Sequence, residues 1–401
     1  MGRIDAVVVG AGASGMLAAM AAAGSGANVK VLEADSKPLR KVLRTGNGRC
    51  NLSNAGIELS GVSEISDPPL SLYRNPGFVR HVLERYGCED VRGIFDDMGL
   101  STYVDLEGRV YPVTNRARSV SDVILNECAA LGVDVVLDSE VVMLDPHDGI
   151  WTCRTRDGRL FHSRSVVLAT GGGAELAVQL GVPTLPVQHG LGPMRTRTSL
   201  VKKMSCVRMR CTAGLDRDGH YVARFPVEVL FRKYGVSGIV VFDLSRYARE
   251  GDALVLDLMP ALELDELEGQ VAARLKRLQS RGDRNPVHAF DGLLVREVAD
   301  AMLCACGLGS NPDPSDVPAD KMARILKGFR LKVSGGTLED ECQVLRGGVD
   351  VAAVDPETMA VRGFDGLYAC GEAVDVDGAC GGYNLHWAWA SGMVAGENAV
   401  I

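Results

Sequence analysis

The chain has 401 residues, of which 46% are hydrophobic and 23% charged, a composition typical of a globular protein with two or three domains. Its formal net charge of −8 argues against a protein that holds nucleic-acid phosphates over a broad surface. No apolar run approaches the roughly 18 residues of a membrane span, so we expect a cytoplasmic protein that has no membrane partner.

The cysteines and histidines give no support to a metal site. Eleven cysteines are scattered along the chain without a C-x-x-C pair, and the seven histidines are equally dispersed. This pattern is typical of reduced thiols that pack as small hydrophobic side chains. We therefore predict neither a structural metal nor a disulfide framework.

The hydrophobic pattern of the first thirty-three residues changes twice, from strand to helix and back to strand. Ile4 to Val9 is a β-branched run suited to a strand that is buried on both faces, and the alanine-rich run from Met16 to Ala23 predicts a helix. The glycine motif GAGASG lies between them at 10–15. A second buried strand, Val29 to Leu32, ends in Glu33. This order of elements is the full fingerprint of a dinucleotide-binding βαβ unit.

Each part of this fingerprint has a physical role. Gly10, Gly12 and Gly15 allow the backbone to approach a pyrophosphate, whose charge is received by the helix N-terminus. Glu33 accepts hydrogen bonds from the ribose hydroxyls and repels a 2′-phosphate. The motif therefore predicts FAD or NAD as the ligand and disfavours NADP.

The next elements continue an α/β pattern. Residues 117–132 form an amphipathic helical pattern, and residues 133–145 read as strand. Alternation around an Asp-Gly turn predicts a hairpin over 151–161, which leads into another buried strand at 165–173.

The character of the sequence changes after Gly173. We predict an N-terminal part of the nucleotide-binding domain over 1–173 and an insert domain over 174–332, which is β-rich over 174–255 and helical over 256–332. The final segment, 333–401, returns to the first domain and completes its sheet.

The C-terminal run decides between the two dinucleotides. A predicted strand ends in Gly371 and Glu372, and a Gly-Gly step at 381–382 precedes a predicted helix. An acid for the ribitol hydroxyls, followed by helix N–H groups beside the pyrimidine edge of the ring, is what a flavin needs. Gly382 is expected to let this turn approach the ring closely. Trp387 and Trp389 are interpreted mainly as core residues.

The combined motifs resemble the BaiN-like flavoproteins, a family also labelled aminoacetone oxidase family FAD-binding enzymes. The resemblance covers nearly the whole chain and rests on GAGASG (10–15), KVLRTGNGRCNLSN (41–54), LFRKYGVSG (230–238), GGVDVAAVDPETM (347–359) and GLYACGEAVDVDGACGGYNLHWAWASG (366–392). It implies an α/β fold with a Rossmann-like FAD-binding domain of the glutathione-reductase type. An insert with a β-barrel-like part and a helical part interrupts this domain.

The resemblance also implies which residues hold FAD noncovalently. The AMP half is taken by Gly10, Gly12, Gly15 and Glu33, and the diphosphate and flavin are lined by Lys41, Arg49, Cys50 and Asn51. The ribitol meets Glu372, and the ring meets Gly382, Tyr383, Asn384 and Leu385. The set is completed by Ala13, Ser14, Ala34, Val141, Thr170, Gly171 and Gly371.

One segment departs from the family pattern. Members usually follow the ATGG sequence with a loop similar to SYPxxGSTGDG, whereas residues 169–172 here continue as GAELAVQLGVPTLPVQHG. We therefore expect the substrate pocket of this chain to differ from that of other members.

The expected reaction is hydride transfer at flavin N5 to or from a small organic substrate. The BaiN name implies a reductase or dehydrogenase of a C–C or C–N bond, for example of a steroid-like 3-oxo-4-ene. Tyr383 and His386 are candidate proton donors, and Arg49 is a candidate for polarising an oxygen. Each also has a structural interpretation, as a packed turn residue, a core or helix-surface histidine and a diphosphate ligand, respectively.

Two alternatives stay open. The second family label implies an oxygen-using amine oxidase of the aminoacetone type. An RNA-associated or regulatory flavoprotein is supported only by basic alternation at 195–210, which is more typical of a solvated sheet face, and we do not expect a nucleic-acid partner. No second GxGxxG is present, so the sequence shows no dedicated NAD(P)H domain, and NADH and NADPH are only candidate electron donors. The sequence does not indicate an oligomeric state.

Overall fold

The computed structural model describes residues 3–59, 61–197, 199–308, 312–335 and 341–400. The chain forms two compact units. The first comprises Met1–Gln188 with Val344–Ile401, and the second comprises His189–Gln343.

The strands of the described residues follow the chain in this order: β1 (Ile4–Val9), β2 (Val29–Leu32), β3 (Ser53–Asn54), β4 (Thr102–Val104), β5 (Arg109–Pro112), β6 (Asp134–Val136), β7 (Val141–His147), β8 (Ile150–Thr155), β9 (Leu160–Leu168), β10 (Thr184–Gly190), β11 (Met194–Arg195), β12 (Arg208–Arg217), β13 (His220–Arg232), β14 (Gly235–Ser237), β15 (Ala253–Asp257), β16 (Phe329–Lys332), β17 (Val344–Val349) and β18 (Leu367–Ala369).

The α-helices are α1 (Ala13–Gly24), α2 (Arg40–Arg44), α3 (Pro76–Arg85), α4 (Cys88–Asp97), α5 (Ala117–Ala130), α6 (Glu175–Leu180), α7 (Leu200–Lys203), α8 (Ile239–Ser245), α9 (Leu264–Ser280), α10 (Arg296–Ala305), α11 (Ala319–Lys327) and α12 (Tyr383–Asn398). The predicted helix after GAGASG, the helix near 117 and the helix after the Gly-Gly step correspond to α1, α5 and α12.

The first unit is built on a seven-stranded sheet with the order β6-β2-β1-β9-β8-β7, in which β18 also pairs with β9. The strands β6, β2, β1, β9 and β18 run parallel, and β7, β8 and β9 form antiparallel pairs. The β-branched run of β1 suits its central position, because Val7 and Val8 are fully buried. The predicted joining of both chain ends in one sheet is confirmed.

Helices α1 and α12 pack closely because small residues line their contact. A Cβ on Gly392 would lie 2.4 Å from the carbonyl oxygen of Ser14, and a Cβ on Gly396 would lie 2.1 Å from that of Ala18. Only glycine permits this approach of the two backbones. The contact fixes the C-terminal helix beside the N-terminal nucleotide motif.

The second unit contains a six-stranded antiparallel sheet with the order β11-β14-β13-β12-β15-β16. Its two ends meet through a bridge between Thr196 and Val333, with the Arg197 N–H donating to the Lys332 carbonyl at 2.9 Å. The sheet is therefore closed in the manner of a barrel, as the resemblance implied. Helices α9, α10 and α11 form the helical part of this unit.

The limits of the insert differ from those expected from the sequence, 174 and 332. Residues 175–183 belong to the first unit because α6 packs against β7 and Pro183 accepts a hydrogen bond from the Asp350 N–H. Residues 333–334 belong to the second unit because they bond to Asp252 and Arg195. The β-rich and helical parts of the insert also interleave along the sequence. Strand β16 lies inside the stretch expected to be helical, and the helices α7 and α8 lie inside the stretch expected to be β-rich.

The alternating basic residues near the start of the insert lie on a solvent-exposed face of the sheet. Arg208 and Arg210 of β12 are exposed, whereas Cys211 is buried, and Arg208 pairs with Glu228 at 3.0 Å. None of the described helices is both long and apolar enough to cross a membrane. Within the described residues, no group of three or more His, Cys, Asp or Glu side chains is arranged to hold a metal ion.

Candidate active site

The glycine turn between β1 and α1 has three glycines with two different roles. A Cβ on Gly15 would lie 1.9 Å from the carbonyl oxygen of Gly10, and Gly10 itself has a φ of +107°, so both shape the turn. A Cβ on Gly12 would meet no atom within 4 Å. Gly12 therefore keeps space open at the N-terminus of α1, where the amides of Ala13 and Ser14 lie and where a pyrophosphate fits.

Glu33 ties the second strand to this turn. Its carboxylate accepts hydrogen bonds from the N–H groups of Ala11 at 2.6 Å and Asp35 at 2.8 Å. A carboxylate has about four acceptor positions, so it can also receive ribose hydroxyls. Ala34 is exposed beside it, and Val141 begins β7 on the neighbouring segment, where the Ser139 N–H donates to the Glu33 carbonyl at 2.7 Å.

The N-terminal and C-terminal motifs meet at Gly371. A Cβ on Gly371 would lie 2.3 Å from the hydroxyl oxygen of Ser14, and the indole N–H of Trp387 donates to the Gly371 carbonyl at 3.0 Å. The Ser391 hydroxyl accepts from the Gly371 N–H at 2.9 Å. Trp387 and Trp389 are both buried, so their interpretation as core residues is confirmed.

Glu372 follows directly and receives two donors from distant parts of the chain. Lys41 Nζ lies 2.5 Å from its Oε2, and the Leu345 N–H donates to its Oε1 at 2.7 Å. A Cβ on Gly171 would lie 3.7 Å from Oε2, whereas the Thr170 hydroxyl turns away to the Gly173 carbonyl. The structure thus brings together residues that were assigned separately to the diphosphate and the ribitol.

The start of α12 is held by the strand β3 region. Gly382 has a φ of +107°, and a Cβ there would lie 2.2 Å from the Ser53 carbonyl oxygen and 3.0 Å from Asn51 Oδ1. The Asn384 side chain closes the preceding turn through the Gly378 N–H and carbonyl, at 2.8 and 2.9 Å. Asn384 and Leu385 can therefore contact a ligand through their first-turn backbone N–H groups rather than through the Asn384 amide.

His386 lies in the core, which favours its structural interpretation over the role of proton donor. Its side chain is fully buried, Nδ1 lies 2.9 Å from the Ser53 hydroxyl, and Nε2 lies 2.9 Å from the Tyr86 carbonyl. Burial lowers the pKa of His386 to about 4. A neutral imidazole that donates from Nε2 and accepts at Nδ1 satisfies both neighbours, so His386 is a structural core residue.

Tyr383 is likewise part of the packing. Its side chain is 8% exposed and meets the ring of Tyr73 edge to face, with centroids 5.7 Å apart. The Tyr73 hydroxyl donates to the Tyr383 carbonyl at 3.0 Å. These contacts favour the interpretation of Tyr383 as a packed turn residue.

Arg49 is the candidate catalytic residue that faces outward. It is exposed, and its guanidinium lies 4.6 Å from the centre of the Tyr111 ring, a stacked arrangement that limits its motion. The adjacent Cys50 is fully buried, and burial raises the pKa of its thiol to about 12. Cys50 is therefore a neutral packing residue that holds the loop between Arg49 and Asn51.

A polar network that no sequence motif indicated surrounds Asp375. This carboxylate is 2% exposed and bonds to Arg74 Nε and the Gly347 N–H, each at 2.9 Å. The Asn75 amide donates to the Asp375 carbonyl at 2.6 Å. The sequence does carry a signal, because Asp375 and Asp377 are two aspartates in a run of valines and glycine. The partners of Asp375 lie 301 and 28 residues away in the sequence.

These features fit FAD. The open space at Gly12, the half-buried carboxylate of Glu33 and the Lys41–Glu372 pair provide positions for the pyrophosphate, ribose and ribitol. The first turn of α12 offers backbone donors to the flavin.

Comparison with known proteins identifies the family. The model of the HI0933-like protein Rossmann domain matches residues 4–398. The chain belongs to this family. It is 30% identical over 425 residues to the 3-dehydro-bile acid delta(4,6)-reductase of Clostridium scindens, with 100% of this chain and 99% of the relative covered. It is 27% identical over 421 residues to the ribosomal RNA dihydrouridine synthase of Escherichia coli, with the same shares covered.

Solved structures of similar fold are flavoenzymes. The 3-ketosteroid-delta4-(5alpha)-dehydrogenase of Rhodococcus jostii has a TM-score of 0.50 at 15% identity, over 100% of this chain and 97% of that chain. A flavocytochrome c3 fumarate reductase has a TM-score of 0.50 at 17% identity, over 99% and 78%. At these identities the likeness shows the fold alone. The resemblance to the BaiN-like flavoproteins is confirmed, and this family member is an FAD-dependent oxidoreductase.

Proposed function

We propose that the protein reduces a C=C bond that is conjugated with a carbonyl group. Two relatives that span its full length support this class of reaction. A delta(4,6)-reductase of a 3-dehydro bile acid acts on double bonds conjugated with a 3-oxo group. A dihydrouridine synthase acts on the uracil C5=C6 bond, which is conjugated with the C4 carbonyl. The substrates differ, but the reacting group is the same.

The observation that carries the proposal is the position of Arg49. Reduction of such a bond places negative charge on the carbonyl oxygen, and a preorganised cation stabilises that charge. The Arg49 guanidinium is exposed and held at 4.6 Å over Tyr111, at the head of the loop that continues to Asn51 beside Gly382. It would bind the carbonyl oxygen and orient the conjugated system.

FAD held by the residues of the candidate site would supply the hydride that the β-carbon receives. A proton must then reach the α-carbon. An arginine does not release its proton in proteins, and His386 and Tyr383 are buried. We therefore assign this proton to solvent at the exposed side of the site, which makes deuterium from heavy water appear at the α-carbon.

The substrate that we favour is a small steroid-like 3-oxo-4-ene, on the strength of the 30% identity to the bile-acid reductase. NADH or NADPH is the proposed source of electrons. We also propose a cytoplasmic location, which the free thiols of the eleven cysteines support.

The test is to photoreduce the holoenzyme without oxygen and to time flavin reoxidation by 4-androstene-3,17-dione. In the FAD-loaded fraction, Arg49→Met should slow reoxidation about 100-fold. Arg44→Met, which removes a nearby exposed cation of α2, should leave the rate unchanged. Reoxidation by air that outpaces the enone, together with turnover of an amine, would instead support the oxidase.

A second candidate substrate is uridine in RNA. It is supported by the 27% identity to the dihydrouridine synthase over the whole chain, while the net charge of −8 weighs against it. Ribosomal RNA lacking dihydrouridine should reoxidise the reduced flavin and gain dihydrouridine if this candidate is correct. A flavin reoxidised by the enone and unaffected by RNA would exclude it.

A further inference from the structure

A turn with two buried aspartates lies between Glu372 and the start of α12. Asp375 and Asp377 are each 2% exposed, and each faces an arginine from elsewhere in the chain. Arg74 Nε lies 2.9 Å from Asp375, and Arg346 Nε lies 3.6 Å from Asp377. Buried carboxylates persist only when they are paired in this way.

Arg74 uses only one of its nitrogens in this pairing. Its Nε donates to Asp375, and its two terminal amino groups make no hydrogen bond to any residue in the described part of the chain. The side chain is 37% exposed. The outer fork of the guanidinium is therefore directed away from Asp375 and is available to a partner.

The anchor of Arg74 is rigid. Besides Arg74, Asp375 binds the Gly347 N–H at 2.9 Å, and its own N–H donates to the Val349 carbonyl at 2.9 Å. Asn75 turns its amide to the Asp375 carbonyl and leaves the first turn of α3 without a side-chain cap. The positive end of α3 thus adds to the field around Arg74.

Arg74 also lies next to the flavin-side turn. Its N–H donates to the Asp377 carbonyl at 2.8 Å, and the Ala379 N–H donates to the Leu72 carbonyl at 2.9 Å. The preceding residue, Tyr73, bonds to the Tyr383 carbonyl at 3.0 Å. The segment with Arg74 therefore runs directly beside the chain that leads to the first turn of α12.

We propose that Arg74 binds an oxyanion of the substrate at a point remote from the reacting double bond. This inference rests on the proposed function and specifies the substrate as an anionic enone. A planar fork held from behind by a carboxylate is suited to two oxygens of one anion. A steroid side-chain carboxylate and a nucleotide phosphate share this chemistry.

A pairing with Asp375 alone would not require arginine. A lysine would supply one compact charge. Arg74 instead donates from Nε to Asp375, and its two terminal amino groups point outward, where they can bind two oxygens. The oxyanion role predicts that the outer fork, and not merely the charge, sets the affinity. Arg74→Lys should therefore recover only part of the loss caused by Arg74→Met.

The experiment titrates oxidised, FAD-loaded protein with two enones that differ in charge, 3-oxo-4-cholenoic acid and its methyl ester, and follows the flavin absorbance. The wild type should bind the acid more tightly than the ester. Arg74→Met should raise the Kd of the acid about 10- to 100-fold, the range for one charge-assisted contact. The Kd of the ester should stay the same. A parallel titration compares uridine monophosphate with uridine.

Arg85→Met is the matched control, because Arg85 lies on α3 and pairs with the carboxylate of Glu397. It should change neither Kd. If uridine monophosphate binds more tightly than uridine while the steroid acid and its ester bind equally, the site is assigned to phosphate. Equal affinity of wild type for acid and ester and for both uridine compounds, or equal weakening of charged and neutral ligands by Arg74→Met, would overturn the inference. Because binding needs no turnover, failure of enone reduction alone would count against the proposed function only.

Discussion

Two glycines that precede helices at opposite ends of the chain look alike in the sequence and differ in the structure. At Gly12, before α1, a Cβ would meet no atom within 4 Å, whereas at Gly382, before α12, it would lie 2.2 Å from the Ser53 carbonyl oxygen. The first position keeps room for a ligand. The second position requires a glycine because two backbone segments approach each other closely there. A glycine before a helix therefore indicates a ligand only where the fold leaves the space open.

This contrast changes the interpretation of the C-terminal Gly-Gly step. The sequence predicts that Gly382 lets the turn approach the flavin ring, so that a side chain would collide with the ring. In the structure, the nearest obstacle is the protein itself, at Ser53 and Asn51. The role of Gly382 at the flavin remains a prediction, and its role in packing is the larger effect.

The largest effect is expected for Gly382→Ala. The φ of +107° disfavours any side chain, and the Ser53 backbone cannot move away cheaply. The free energy of unfolding should fall by about 3 to 4 kcal/mol, measured by urea denaturation. Gly48→Ala is the control, since Gly48 has a φ of +82° but no atom within 4 Å of a Cβ. Equal losses in both variants would mean that strain, and not the clash, decides.

The second effect concerns acid stability. His386 stays neutral in the native state down to about pH 4, whereas in the unfolded chain it binds a proton below its ordinary pKa of 6.5. Stability should therefore be unaffected by this group above pH 6.5 and should decrease by about 3 kcal/mol as the pH falls towards 4. His386→Gln should flatten this part of the profile. Identical slopes for both proteins, measured by urea unfolding at each pH, would contradict the assignment.

The third effect tests the AMP side of the site. Glu33→Gln removes the charge that accepts from the Ala11 and Asp35 N–H groups and from a ribose. FAD should bind about 2 kcal/mol more weakly, a loss of about 30-fold, in titrations of apoprotein. Asp35→Asn, which alters an adjacent carboxylate that pairs with Arg40, should retain the affinity. Unchanged binding by Glu33→Gln would remove Glu33 from the site.

The smallest effect on folding is expected for Gly12→Ala, which is the counterpart of Gly382→Ala. The open space and negative φ at Gly12 accommodate a methyl group, so the unfolding free energy of the apoprotein should change by less than about 1 kcal/mol. FAD affinity should nevertheless fall, because the methyl group occupies the approach of the pyrophosphate. A destabilised apoprotein with normal FAD affinity would reverse the comparison between the two glycines.

Much of the fold was predictable because its signals are local. The β-branched run of β1, the alanine-rich α1 and the Asp-Gly turn between β8 and β9 each follow from neighbouring residues. The boundaries of the insert were not predictable to the residue. They depend on whether α6 and the residues after β16 pack on one unit or the other, which adjacent residues do not encode.

The candidate site likewise has some features that the sequence predicts and others that only the tertiary structure shows. The sequence by itself determined the nucleotide motif, the family and the FAD chemistry, because spaced glycines and Glu33 act through backbone geometry over a short range. Only the tertiary structure decided that Lys41 meets Glu372, that Asp375 anchors Arg74 and that His386 is a buried neutral imidazole. Burial and pairing arise from segments about 300 residues apart, and they alone fix which polar groups are satisfied and which face the ligand.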